Sequence, residues 1–380
     1  MFSNQSAEVS LNAPIRALDA VRSDKVESRF IAGSCSVQGD NHLHVLRFHS
    51  ESNQLSVDAI LPHSSGPISN LVTSPSNKSL VLTTTLNEST ATLWKIPQEV
   101  MDRNDDIDFE TDGLPDTTSR IEEVLKLESE SKIIDMAWRG AFDEEPSGMG
   151  DLLTMDQAGN IHQWDLSFGT AEATRRITAN VEGSKWNLPP HLAWDPHNVD
   201  AMAVSSGTKV HLVDWRADSS ISDDSVQSFH CHRYGVTDLD YNPNKPHVLT
   251  TAGQDGLLKF WDLRSAKQPI LVSRGGHRHW LSKVSYNPFH DQLLLSAGTD
   301  SLVNLWRFST ISSAPLLTLE DDADDDTSGA NIRVSQHEHM DSVYALSWGA
   351  ADAWIYAAVG YDGKAILSHV PSKEKYKILL

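Results

Sequence analysis

One stretch of this chain is copied at a fixed distance, and that constrains the fold more than any other feature. "HRYGVTDLDYNPNKPHVLTTAGQDGLLKFWDL" begins at His232, and "HRHWLSKVSYNPFHDQLLLSAGTDSLVNLWRF" begins at His277. The leading His, the Tyr-Asn-Pro triplet at Tyr241 and Tyr286, Asp255 and Asp300, and Trp261 and Trp306 all recur 45 residues apart. A period near 40–45 with His early and Trp late marks a four-stranded β-propeller blade.

With the frame fixed, weaker copies follow. "HMDSVYALSWGAADAWIYAAVGYDGKAILSHV" starts at His339, and "SKIIDMAW" leads into "DQAGNIHQWDL". "HLAWDPHNVDAMAVSSGTKVHLVDW" ends at Trp215, and "ISNLVTSPSNKSLVLTTTLNESTATLWKI" ends at Ile96. "IRALDAV", "RFIAGS" and "NHLHVLRF" make the most diverged copy, at the start. Each unit has three alternating or β-branched runs and a weaker fourth. The expected architecture is all-β, a single seven-bladed propeller with acidic loop insertions and no separate domain. Its blades span about 14–61, 66–128, 131–179, 186–231, 232–273, 277–335 and 337–380. Seven four-stranded sheets in a ring bury their faces and leave only short edges.

Two acidic segments interrupt the period. Residues 98–120 ("QEVMDRNDDIDFETDGLPDTTSR") break the second blade, and 320–335 separate the last two, with six acids in 320–326. Both read as flexible loops. Trp194-Asp195 is not a repeat terminus, because it aligns with the Tyr-Asn-Pro slot and so belongs to an inner strand. The terminal "KYKILL" follows the third strand of the last blade directly and is expected to supply that blade's outer strand.

Composition narrows the function. Net charge is −21, from 31 Lys and Arg against 52 Asp and Glu. Nucleic-acid binding needs a basic footprint that this chain lacks, and anionic membranes would repel it. Neither a secretory leader nor an apolar run of about 18 residues is visible. Cys35 and Cys231 are too few for a disulfide framework, which fits a reducing, cytoplasmic compartment. No phosphate loop or nucleophile elbow occurs. "HEHMD" at 337–341 falls short of the H-E-x-x-H zinc motif, and the acidic run lacks the spacing of a calcium loop. The chain is therefore read as a non-enzyme, with no cofactor and no metal.

The repeat resembles the WD-repeat family. That resemblance implies a hydrogen-bonded chain of His232, Thr251, Asp255 and Trp261 in blade 5, and of His277, Ser296, Asp300 and Trp306 in blade 6. Blade 7 keeps His339 and Asp362 but has Ala358 and Ser368 in the other two slots, so its chain is incomplete. These types suit a structural role, since buried carboxylates and indole N–H groups need partners. A catalytic Ser/Thr-His-Asp set is disfavoured because the pattern repeats. Most of the 11 tryptophans fall in strand slots as core anchors. Trp280 sits in a loop instead and is a candidate contact, together with Tyr234, Tyr361 and Arg264.

Finer likeness lies in the C-terminal "SVYALSWGAADAWIYAAVGYDGKAILSHVPSKEKYKILL", in "DLDYNPNK", "HDQLLLSAGTDS" and "STISSAP". These segments resemble the WD-repeat proteins that interact with the EARP and GARP vesicle tethers. What the resemblance implies is a monomeric adaptor binding tether subunits, placed by them at the trans-Golgi network and endosomes. There it would support retrograde transport and recycling. The alternative uses "WDLR" (Trp261 to Arg264), similar to the element by which WD-repeat receptors join cullin-type ubiquitin ligases.

Overall fold

The computed structural model describes residues 6–103, 115–139, 151–166, 172–178, 188–214, 227–314 and 331–379. They form seven four-stranded antiparallel sheets. The innermost strands are Ile15–Ala20, Ile68–Thr73, Ile133–Arg139, Leu192–Trp194, Val236–Tyr241, Leu281–Tyr286 and Val343–Trp348. Each packs against the innermost strand of the next sheet, and contact between Val343–Trp348 and Ile15–Ala20 closes the circle.

The second strands show why the sequence folds this way. Leu80–Thr85, Val248–Gly253, Leu293–Gly298 and Ile355–Gly360 are buried at every position. A strand covered on both faces reads as a near-continuous apolar run. The cover is the neighbouring blade: Ile15, Phe30 and Leu46 of blade 1 share one core with Ile355, Val359 and Leu367 of blade 7.

A polar tie recurs along the inner strands. Asp19 accepts from the Thr73 N–H (3.0 Å), and Asp240 accepts from the Tyr286 N–H (2.8 Å). Asp135 accepts from the Leu192 N–H (2.9 Å), and Asp238 from the Val284 N–H (2.8 Å). Each carboxylate thus satisfies a backbone donor of the following blade, which no strand ladder reaches.

Ring closure differs from expectation. "KYKILL" forms no strand: Ser372–Leu379 is a helix. The outer strand of blade 7 is instead Ala7–Ser10, paired antiparallel with Lys364–His369 through Ala7↔Leu367 and Ser10↔Lys364. The Leu11 N–H extends that seam to the Gly363 carbonyl at 2.7 Å. The helix packs under blades 6 and 7, where Glu374 is buried against Arg307 at 2.7 Å. Ile378 joins the core there.

The inserts are shorter than their sequence bounds. Gln98–Met101 is one helical turn that buries Val100 and Met101, and Asn331–Glu338 is the outer strand of blade 6. The intervening acidic stretches, 104–114 and 315–330, lie outside the described residues, as does Trp215. Both stems of the first insert are tied to blade 1. Arg29 and Arg47 donate to the Arg103 carbonyl (2.7 and 3.0 Å). Asp116 pairs with the outer strand of blade 1 through its own N–H to the Asp58 carbonyl and the Ile60 N–H to its carbonyl. Arg29 is itself buried against Asp24 at 2.8 Å.

Candidate functional site

The residues singled out by the repeat fall into two groups, one inside the blades and one on the ring's surface. In blade 5, His232 Nδ1 lies 2.8 Å from Asp255 Oδ1 and His232 Nε2 lies 2.9 Å from Thr251 Oγ1. The Trp261 indole donates to that same oxygen at 3.0 Å. In blade 6, the distances are 3.0 Å (His277 to Asp300), 2.8 Å (His277 to Ser296) and 2.8 Å (Trp306 to Ser296). One proton arrangement satisfies every member. The indole N–H donates to the hydroxyl, the hydroxyl to Nε2, and the Nδ1–H to the carboxylate.

The electrostatics agree with that arrangement. Burial pushes the His232 pKa below its ordinary value, against the pull of Asp255. Burial alone would raise Asp255, but its bond to His232 and the nearby Lys259 charge hold it low. The stable pair is a neutral imidazole and a carboxylate. Thr251 and Ser296 are fully buried, so neither hydroxyl meets solvent. Replacing Asp255 with Ala is expected to cost about 1–3 kcal/mol through the unpaired His232 and the freed Leu257 and Arg233 N–H groups. Chemical denaturation of the purified variant measures it, and an unchanged midpoint would refute the role.

In blade 7 the His339 ring reaches Asp362 at 3.2 Å, and its Nε2 is buried with no partner, since Ala358 offers no hydroxyl. His337, two residues earlier, packs on Tyr356 instead, with ring centroids 6.0 Å apart. Among the described residues no group of three His, Cys, Asp or Glu side chains is placed to hold a metal.

The repeat reading missed a third chain, in blade 2. His63 Nε2 contacts Thr83 Oγ1 at 2.9 Å, and the Trp94 indole donates to it at 2.9 Å. The Gly66 carbonyl, 3.1 Å from Nδ1, replaces the aspartate. The signal was available: His63 precedes Thr83 by 20 residues and Thr83 precedes Trp94 by 11, close to the blade 5 spacing.

Burial drives the pKa of His63 down to about 4, and that of His44, whose ring nitrogens are both buried and unpartnered, also to about 4. The sign follows. The unfolded chain takes up these protons below about 6.5, whereas the folded chain resists until about 4, so their contribution is present above 6.5 and lost as pH falls. Between pH 7.5 and 5, the His44→Leu variant should lose about 2 kcal/mol less than the wild type. Urea titrations at both pH values test it, and equal losses would exclude it.

The surface candidates lie at opposite ends of the ring. Arg264 stands beyond the third strand of blade 5 on the side opposite the His-Asp turns. Asp262 caps the turn Leu263–Ser265 and holds the Arg264 guanidinium through its Nε (2.9 Å) and Nη2 (2.5 Å). Asp262 therefore caps the strand end, as the sequence reading expected, and holds Arg264 as well.

At the other end, loops of three consecutive blades present apolar side chains. Tyr234 is 40% exposed, Trp280 47%, Met340 84% and Tyr361 39%. Within each blade a backbone bond ties the entering loop to the strand turn beside it: Gln254 N–H to Gly235 O, Thr299 N–H to Trp280 O, and Tyr361 N–H to Ser342 O. Ser342 Oγ bonds Thr299 O at 3.3 Å, linking blades 6 and 7. The His-Asp chains fix these loops, because each histidine and the Asp-bearing turn beside it frame the exposed residue. Met340 N–H donates directly to Asp362 at 2.9 Å.

The seven sheets, with their buried polar chains, define a seven-bladed β-propeller. Residues 4–306 match the model of the EIPR1 beta-propeller family. The chain belongs to that family. It is 31% identical to human EARP and GARP complex-interacting protein 1, with 96% of each chain covered. It is 33% identical to the zebrafish (Danio rerio) EARP-interacting protein homolog, again over 96% of both chains. The Arabidopsis thaliana WD repeat-containing protein DWA2 is 29% identical over 93% of each.

Proposed function

We propose that this protein is a non-enzymatic adaptor that binds multisubunit vesicle-tethering complexes of the EARP and GARP type. The observation that carries the reading is end-to-end similarity to relatives named for interaction with those complexes. The exposed face of blades 5 to 7 supports it, since Tyr234, Trp280, Met340 and Tyr361 give a rigid frame an apolar docking surface. Arg233 and Arg278 flank that face as exposed cations in a chain of net charge −21. A surface of this composition suits an acidic, apolar element on the tether.

No helix among the described residues is long and apolar enough to cross a membrane. In this reading the tether brings the protein to endosomes and the trans-Golgi network, where it supports retrograde transport and recycling.

The test is affinity purification of tagged protein from its own cells. Wild type and Arg264→Ala should both recover tether subunits, while a Trp280→Ser/Met340→Asp variant with an unchanged melting temperature should recover less than a tenth. Failure of the wild type to recover a tether would overturn the assignment. Equal recovery by the double variant would move the docking surface elsewhere. Loss on Arg264→Ala, with a ligase adaptor recovered by the wild type, would favour the cullin reading.

A further inference from the structure

Blade 7 departs from blades 5 and 6 where it packs on its neighbour. The slot of Thr251 and Ser296 holds Ala358, so His339 meets no hydroxyl there. The slot of Trp261 and Trp306 holds Ser368, which lies opposite Tyr356 as those indoles lie opposite Leu249 and Leu294. A second imidazole comes from the outer strand of blade 6. His337 lies opposite Val303 as Phe229 lies opposite Val210. Phe229 packs on Trp261 with ring centroids 4.9 Å apart, and His337 packs on Tyr356 at 6.0 Å. Histidine thus stands where the seam of blades 4 and 5 has phenylalanine.

Three features make this pair sensitive to acid. First, the Nε2 atoms of His337 and His339 are both buried without a hydrogen-bond partner. A proton added at either would find no acceptor. Secondly, little charge compensates. Asp362, on the turn before the last inner hairpin strand, reaches His339 at 3.2 Å and is the carboxylate that bonds either ring among the described residues. Glu8 of the closing strand lies 3.4 Å from Lys364, whose charge opposes protonation of His339. Glu338 and Asp341 are exposed, and burial keeps the Tyr356 phenol neutral. Burial pushes the His339 pKa below its ordinary value, against the pull of Asp362. Burial, and then the charge of His339, push His337 down as well. Thirdly, the pair is tied to an exposed loop. Asp362 accepts from the Met340 N–H at 2.9 Å, and the Tyr361 N–H bonds the Ser342 carbonyl at 2.9 Å.

We propose that His337 and His339 form an acid-sensitive lock, closed while both rings are neutral and opened at residues 337–342 when the pair takes up protons. An imidazole kept neutral in the closed loop regains its ordinary behaviour in the open one, and so binds a proton on opening below about pH 6.5. Opening is therefore favoured as pH falls. Between pH 7.5 and 5.5 the gain is up to about tenfold per ring, and about a hundredfold for the pair. The lock belongs to the free protein and is tested there. Any effect on a partner seated on Met340 rests on the tether-binding reading above.

The test is hydrogen exchange read by mass spectrometry on the full chain at pH 7.5 and 5.5, corrected for the intrinsic pH dependence of exchange. In the wild type, protection of residues 337–342 should fall more than tenfold, and that of the buried strand Leu293–Gly298 much less. His337→Phe, which installs the residue of the equivalent seam, should limit the fall at 337–342 to about tenfold. His337→Leu is the second variant should phenylalanine not fit. A wild-type fall of tenfold or less would overturn the proposal. So would an equal fall along Leu293–Gly298, which would mean global unfolding, or equal falls in the variant and the wild type.

Discussion

Removal of residues 2–10 is expected to open the ring and lower stability by roughly 5 kcal/mol, since about four inter-strand hydrogen bonds at ~1 kcal/mol each are lost along with apolar cover. The strand Ala7–Ser10 joins the chain's beginning to the outer edge of blade 7 by backbone pairing, through its ladder with Lys364–His369. Ala7 is buried in the core shared by blades 1 and 7. Without it, the Lys364–His369 edge carries unpaired N–H and C=O groups, a template for aggregation. Circular dichroism melts and light scattering would read the outcome. Deleting residues 375–380 leaves all four strands of blade 7 in place, so its effect should be smaller. A protein lacking residues 2–10 that melts like wild type, or a larger effect from the C-terminal deletion, would show that this closure is misassigned.

The second large effect is expected at Glu374. Replacing it with Ala should cost about 3–5 kcal/mol, the range for breaking a buried ion pair by removing one partner. Arg307 is 4% exposed and Glu374 5% exposed, 2.7 Å apart, so the variant leaves a guanidinium in the interior without its carboxylate. The companion Arg307→Leu/Glu374→Leu variant removes both charges and should lose much less, because it deletes the desolvation cost together with the attraction. Denaturant midpoints of the three proteins decide the matter. If the single variant is no less stable than the double, the pair is not the link between the helix and blade 6.

Much of the fold was legible because it is periodic. The 45-residue recurrence carries the His, Asp and Trp of blades 5 and 6 to equivalent places, and the resemblance to the WD-repeat family then implied the pairing of His232 with Asp255 and His277 with Asp300. Blade 2 was overlooked because its histidine uses the Gly66 carbonyl, and a backbone acceptor leaves no mark in a sequence. The inter-blade ties of Asp19, Asp135, Asp238 and Asp240 were unreadable for a related reason. Their partners are N–H groups 46–57 residues away, and any residue type but proline can supply an N–H. Of the exposed apolar residues of blades 5 to 7, Tyr234, Trp280 and Tyr361 were singled out from the sequence, but Met340 was not.

What the sequence determined by itself is the local unit: strand pattern, turn chemistry, and buried residues that repeat because each blade solves the same packing problem. Which segment closes the ring was decided only in three dimensions. "AEVS" and "KYKILL" are both short enough to be an edge strand, and neither pattern excludes the other. The choice rests on geometry at the seam. Ala7–Ser10 runs beside the Lys364–His369 edge in register, while Ser372–Leu379 leaves that edge and folds into a helix whose Glu374 meets Arg307. A repeat encodes contacts within and between like neighbours; the join between its first and last copies is unique, so no period announces it.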